Sequence, residues 1–349
     1  MNYFYICLIP FILSLFISII ILNFWEKFFS FGEDRYDEIQ KIHNQKAFRL
    51  GGITILISLT ISFLIMQIEF AFLYILFCMI PFLMVGLAED LKGNIDIKVR
   101  LLSIFLSTIL VLYFYGSVLN QTDNKFLDYY FTISGFPFVF TLLGIASTSI
   151  AWNFIDGLNG LSSGLGFIIL IILSILAFNT GLTSLYLFLT ILSFSILGFW
   201  VVNITTGKFF LGDLGSMFIG FVIGLSGVEI VNNSEKFSSW GVFLIIIYPA
   251  IEIIFSITRR VVNKKNPFKA DDLHLHTILF KIMSKKFDKF QKKTVNTLAG
   301  LVITFFASIP VFISFYFQGN YPMTLYIAIG CFLLYTTVFY LLYRILRNY

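Results

Sequence analysis

Asp213 stands in the run Phe210-Leu211-Gly212-Asp213-Leu214-Gly215-Ser216, an acid bracketed by glycines. Glycines let backbone N–H groups close on a phosphate while the carboxylate takes a hard cation, because Mg²⁺ uses one or two carboxylates together with phosphate oxygens. Small residues also let helices pack closely in a bilayer, and Gly220 and Gly224 suit that reading where Asp213 does not. Glu89-Asp90 is a second candidate. Adjacent acids hold a divalent cation or share a proton with a phosphate, although they also serve as ordinary solvated helix ends. In the segment from Asn153 to Leu161, Asn153, Asp156 and Asn159 recur every three positions. That spacing puts three oxygen-bearing side chains on one face if the segment is helical, and makes a plain turn if it is not. His274 and His276 are two apart, which rules out a zinc helix of the i, i+4 type. They reach one ligand together only from extended or irregular backbone. Neighbouring Lys and Arg suit a diphosphate, while the lysines from Lys281 to Lys293 suit an anionic lipid surface. Glu252 lies within an apolar stretch, where an ionisable group costs roughly 2.5 to 3.5 kcal/mol and needs a polar cavity or a partner.

These residues are carried by a chain in which water is not the main solvent. Of its 349 residues 58% are hydrophobic, 12% are charged and 44 are Phe, against about 25% charged in an ordinary soluble domain. A spanning helix needs roughly 20 mostly apolar residues. Eleven stretches of that kind are expected, at about 3–24, 51–68, 71–88, 101–119, 135–152, 162–178, 182–202, 214–231, 241–258, 298–317 and 322–343. The first has no basic residues before it and no small-residue cleavage site after it, so it reads as a retained helix. Cys7, Cys78 and Cys331 all fall inside apolar spans, which suggests neither disulfides nor a zinc site.

Lys and Arg concentrate in loops on the cytoplasmic side. With eleven spans, 22 of the 24 fall on one side, leaving only Lys125 and Lys236 on the other. The fold class expected is therefore all-α and polytopic, with about 11 transmembrane helices, an outside N-terminus and a cytoplasmic C-terminus. All three histidines share the basic side with Glu89, Asp90, Asp156 and Asp213. A transporter would distribute such groups through the midplane and on both faces; here they crowd one face.

Taken in order, the segments resemble the polyprenyl-phosphate N-acetylhexosamine-1-phosphate transferase superfamily, which includes the enzymes that initiate O-antigen and enterobacterial common antigen assembly and the phospho-MurNAc-pentapeptide translocase. The resemblance runs from about Lys41 to His276, and eleven spans look like the O-antigen-initiating branch. Lys41, His43, Arg49, Gly51 and Gly52 resemble the KxH…GG segment of the family, with Phe48 where Pro is common. Glu89-Asp90 stand in place of an acidic pair that is usually Asp-Asp, followed by the basic pair Lys98 and Arg100. Asn153 and Asp156 match an NxxDGxDG signature whose second acid is Asn159 here. Asp213 matches the magnesium ligand, Phe210 a uridine-stacking aromatic and Asn203 a uracil-side polar residue. His274 and His276 match two positions of a histidine motif, with Thr277 as its third and Asp272 where a basic residue is usual. Glu252 resembles a buried acid that follows Pro by three.

The resemblance implies a single transferase domain over 1–349, with a cytoplasmic basic loop at 259–294. Its expected activity moves a sugar-1-phosphate from a UDP-sugar, by default UDP-N-acetylglucosamine, to undecaprenyl phosphate with release of UMP. Phospho-MurNAc-pentapeptide transfer is the neighbouring alternative. Glu89, Asp90, Asp156, His274 and His276 are then the candidate catalytic groups. Lys41, His43, Arg49, Lys98, Arg100, Asn153, Asn203, Phe210 and Glu252 are candidates for substrate binding, and Asp213 for Mg²⁺ or Mn²⁺. The expected setting is the bacterial inner membrane with the site on its cytoplasmic face and lipid all around, a homodimer being allowed and nucleic acid having no role.

Overall fold

The computed structural model describes residues 3–28, 48–67, 71–266, 273–318 and 320–348. Lys41 and His43 lie outside the described residues, as do Asp271 and Asp272. The described chain is helical, in the order α1 (Tyr3–Phe28), α2 (Gly51–Met66), α3 (Ala71–Lys92), α4 (Ile97–Tyr115), α5 (Lys125–Phe131), α6 (Phe136–Phe154) and α7 (Leu161–Asn179). There follow α8 (Thr183–Thr206), α9 (Gly212–Asn232), α10 (Ser239–Ile245), α11 (Ile247–Val262), α12 (Leu275–Lys286), α13 (Lys292–Phe317) and α14 (Tyr321–Asn348). An apolar solvent dictates this outcome. Backbone N–H and C=O groups have no water to bond in hydrocarbon, so a spanning segment satisfies them within its own helix.

Among the described residues nine helices are long and apolar enough to cross a membrane, or ten if the bent pair α10 and α11 forms one span; α2 is apolar but shorter. Each of the eleven expected stretches coincides with one of these elements, but the ninth is not continuous. It breaks at Ile246 with a bend of 72° between α10 and α11. Pro249 supplies the reason, since its ring clashes with the carbonyl four residues back and it has no N–H to continue the ladder.

α9 is the hub. Its spanning window is 89% buried, against 17% for α14 at the periphery. Around it, polar side chains tie helices together where lipid offers no competing partner. Ser58 donates to the Pro10 carbonyl of α1 at 2.9 Å and lies 3.1 Å from Ser195 of α8. Ser149 of α6 donates to the Met217 carbonyl of α9 at 2.8 Å. Where α2 meets α9 the backbones nearly touch: a Cβ on Gly52 would stand 2.5 Å from the Gly215 nitrogen, so only glycine fits. That contact brings the start of α2 to the start of α9. Cys7, Cys78 and Cys331 are free thiols.

Candidate active site

The run 208–212 is held by the residues that precede α2. Phe48 and Phe209 form a parallel bridge, Phe48 N–H donating to Lys208 O at 2.9 Å and Phe210 N–H to Phe48 O at 2.7 Å. Gly51 and Gly52 N–H then donate to the Phe210 and Leu211 carbonyls, each at 2.9 Å. Asn203 braces the same run from α8, accepting from Gly160 N–H at 2.6 Å and donating to Phe209 O at 2.7 Å. With both polar ends on backbone, it links the 153–161 turn to the 208–212 run. Phe209 is buried against Phe199, whereas Phe210 is partly exposed.

Asp213 opens the first turn of α9 and is 9% exposed. Arg100 from α4 places Nη1 2.5 Å from its Oδ2. Asn153, at the end of α6, donates through Nδ2 to Asp213 Oδ1 at 3.2 Å and to Ser216 Oγ at 2.9 Å. Asp90, near the end of α3, accepts from the Asp213 and Leu214 amides at 2.7 and 3.0 Å. Glu89 turns the other way, accepting from Ile95 N–H at 2.7 Å, and stands 4.0 Å from Arg100. Lys98 is exposed, and its backbone is capped by Asp96 at 2.8 Å.

Asp156 lies in the turn after α6. Burial above all, and then the negative charge of Asp213, push its carboxyl up to about 7, while Arg49, Ser162 and the Gly212 backbone pull the other way. Desolvation and a like charge both disfavour the ionised form. Arg49 is thereby placed within electrostatic reach of the acids. Asn159 goes elsewhere: α6 ends at Phe154, so the three-residue spacing is not held on one helical face through 159. The Asn159 amide instead donates to Asn296 of α13 at 2.8 Å, and its side chain to Thr297 at 3.4 Å.

A second cluster adjoins the first through the 153–161 turn. Glu252 of α11 is 1% exposed and accepts from Tyr248 Oη at 3.1 Å and from Leu275 N–H at 3.2 Å. Its Oε2 lies 3.1 Å from His274 Nδ1. His274 precedes α12 in extended backbone, φ −79 and ψ 152, and its ring stacks on that of His276 with centroids 5.3 Å apart. Extended geometry at the first histidine lets side chains two apart lie together, as the spacing requires. His274 also meets Phe154 edge-on at 5.8 Å. His276 packs on Gly157, where a Cβ would collide with its ring. Burial holds the His276 imidazole below its ordinary range, against the pull of Glu252 3.8 Å away.

The structure thus gathers Arg49, Asp90, Arg100, Asn153, Asp156 and Asp213 at one end of α9, and Glu252, His274 and His276 beside them. Ser216, Ser162, Tyr248 and Gly157 had no assigned role. Two of them carried a helical signal, Ser216 three residues after Asp213 and Tyr248 four before Glu252.

The sequence profile of glycosyl transferase family 4 matches residues 72–231. A Bacillus subtilis (strain 168) protein named "Probable undecaprenyl-phosphate N-acetylglucosaminyl 1-phosphate transferase" is 29% identical, the match covering 68% of this chain and 66% of that one. The undecaprenyl-phosphate alpha-N-acetylglucosaminyl 1-phosphate transferase of Thermotoga maritima is 28% identical over 87% of each chain. A phospho-N-acetylmuramoyl-pentapeptide-transferase of Staphylococcus saprophyticus is 28% identical over 70% of this chain and 81% of its own length.

Proposed function

With its resemblance to the polyprenyl-phosphate N-acetylhexosamine-1-phosphate transferase superfamily borne out by the glycosyl transferase family 4 match and these relatives, we propose that this multi-pass membrane protein transfers a sugar-1-phosphate from a UDP-sugar to undecaprenyl phosphate. An oxygen of the lipid phosphate attacks the β-phosphorus, the bond from that phosphorus to the bridging oxygen breaks, and UMP leaves. The sugar proposed is N-acetylglucosamine.

The observation that carries the reading is the meeting of Asp213, Asp156, Asn153 and Arg100 at the start of α9, a set that suits a diphosphate. Phosphoryl transfer asks a protein mainly for positioning and for charge to meet the developing negative charge. Arg100 has a donor to spare, because its Nε is buried without a hydrogen-bond partner among the described residues. A guanidinium presents five donors in a fork that matches phosphate oxygens.

The donor set also fits Mg²⁺. No group of three or more His, Cys, Asp or Glu side chains suited to a metal occurs among the described residues. Mg²⁺ does not need one, since it is held by one or two carboxylates with substrate phosphates. Asp213 would hold it, and it would neutralise charge on the diphosphate. Asp156, held near neutral pKa, is suited to exchange a proton with the lipid phosphate. The basic residues on the site side favour the cytoplasmic face of the inner membrane.

The test is UMP release by purified protein given undecaprenyl phosphate, Mg²⁺ and a panel of UDP-sugars. UDP-N-acetylglucosamine is expected to give both UMP and a lipid-linked sugar diphosphate. Product from UDP-MurNAc-pentapeptide alone would change the sugar, and no UMP from any donor would reject the reaction.

A further inference from the structure

The acidic pair Glu89-Asp90 invites a chemical role, yet its oxygens are already committed to backbone. Asp90 is 5% exposed, and each of its oxygens accepts one amide of α9, from Asp213 at 2.7 Å and from Leu214 at 3.0 Å. It thus does from α3 what an N-cap residue does from within a chain, meeting two of the donors that the first turn leaves unsatisfied. The chain around it is shaped to this contact. Gly212 has φ +80, and a Cβ there would stand 2.5 Å from Asp90 Oδ2. One helical turn before Asp90, a Cβ on Gly86 would stand 2.9 Å from Leu214 Cα. Glu89 meanwhile accepts from Ile95 N–H and so ties the end of α3 to the approach to α4 and Arg100.

We infer that Asp90 is a positioning residue: a clamp from α3 that fixes the first turn of α9 and so aims the Asp213 side chain at the substrate. Glu89 braces the α3–α4 connection that carries Arg100. A carboxyl group suits the clamp because both of its oxygens can accept, one from each amide. An amide cannot do the same, as one of its two polar atoms is a donor facing a donor.

This inference rests on the transferase reading, and Asp90→Asn tests it in two ways. In the protein without added ligand, hydrogen exchange at the Asp213 and Leu214 amides is expected to quicken about tenfold, the scale of a lost cap, while amides in the middle of α9 keep their protection. With substrates, KM for the UDP-sugar is expected to rise about as much, with residual turnover keeping the wild-type pH profile. A group that takes the proton itself behaves differently: its loss lowers kcat by roughly 10²- to 10⁴-fold with KM unchanged and removes a limb of the pH profile. That kinetic pattern, or unchanged exchange at the two amides, overturns the inference. Should Asp90→Asn not purify, Gly212→Ala crowds the same carboxylate while leaving it ionisable. Quickened exchange at Asp213 and Leu214 then supports the clamp, and wild-type exchange overturns it. If the wild-type protein releases no UMP, the transferase reading fails while the exchange result still judges the clamp.

Discussion

The guanidinium of Arg100 lies 2.5 Å from the carboxylate of Asp213. The acid proposed to take a divalent cation therefore already holds a monovalent one on its Oδ2. Arg100→Ala is expected to lower kcat by roughly 10²- to 10³-fold, the usual cost of removing one charge-stabilising donor. Arg100→Lys keeps the charge but loses the fork, and so should recover only part of the rate. Full activity in Arg100→Ala, measured by UMP release, would leave this arginine as a structural counter-ion.

Asp213→Asn keeps the shape of the side chain and removes the metal-binding charge. Turnover should vanish while the thermal midpoint of the detergent-solubilised protein changes little. EDTA should abolish wild-type activity, with Mg²⁺ or Mn²⁺ restoring it. Undiminished turnover in EDTA would sink the metal assignment.

Asp156 sets a pH dependence with a defined sign. Its carboxyl rises from 3.8 to about 7 on folding. Between those values the folded state binds a proton that the unfolded state has released. The stability contributed by this group is thus full below about pH 4, falls as pH rises toward 7, and is level above it. Asp156→Asn should remove that downward slope from thermal unfolding followed between pH 4 and 8. Infrared difference spectra should show the protonated carboxyl disappearing near neutrality in the wild type only; a carboxyl ionised already at pH 5 refutes the assignment.

Glu252, His274 and Tyr248 form one buried unit. His274→Ala strands a buried carboxylate and should cost about 3 kcal/mol. Adding Glu252→Gln should return part of that loss, a non-additivity that a double-mutant cycle reads directly. His276→Ala opens space over Gly157 and should raise KM for the UDP-sugar, whereas neutralising Lys285 and Lys286 should leave it unchanged. Additive stabilities, or histidine variants with wild-type kinetics, would separate this cluster from the site.

Orientation is open to labelling. Gln121 and Asn263 are exposed in connections at opposite ends of the bundle. A cysteine at 121 should react with an impermeant thiol reagent outside intact cells, and one at 263 only after permeabilisation. The reverse pattern would move the site to the outer face.

The apolar elements were legible because lipid imposes one local rule on each of them. The bend before Pro249 had its signal in the proline itself. The neighbourhood of Asp213 was less so. Glu89 and Asp90 look equivalent in sequence, yet α3 directs one to Ile95 and the other to α9. Asn153 and Asp156 converge on Asp213 while Asn159 leaves for α13, because a helix ends between them. In sequence Asn203 resembles a substrate contact; its two bonds to Gly160 and Phe209 depend on a packing of α7, α8 and α9 that no local pattern encodes.

The bridge between Phe48 and Phe209 sets an order of assembly. Phe48 enters the membrane system early in synthesis, but its partner is made only after α2 to α8 have followed. The amides of Gly51 and Gly52 wait with it, and the histidines arrive later still. Chains lengthen at about 5–20 residues per second, so Arg49 spends seconds near the bilayer before any acid of the site exists to receive it. The site therefore closes only when the second half of the protein docks against the early helices. A ribosome stalled before Asp213 would leave membrane-spanning helices but no catalytic surface.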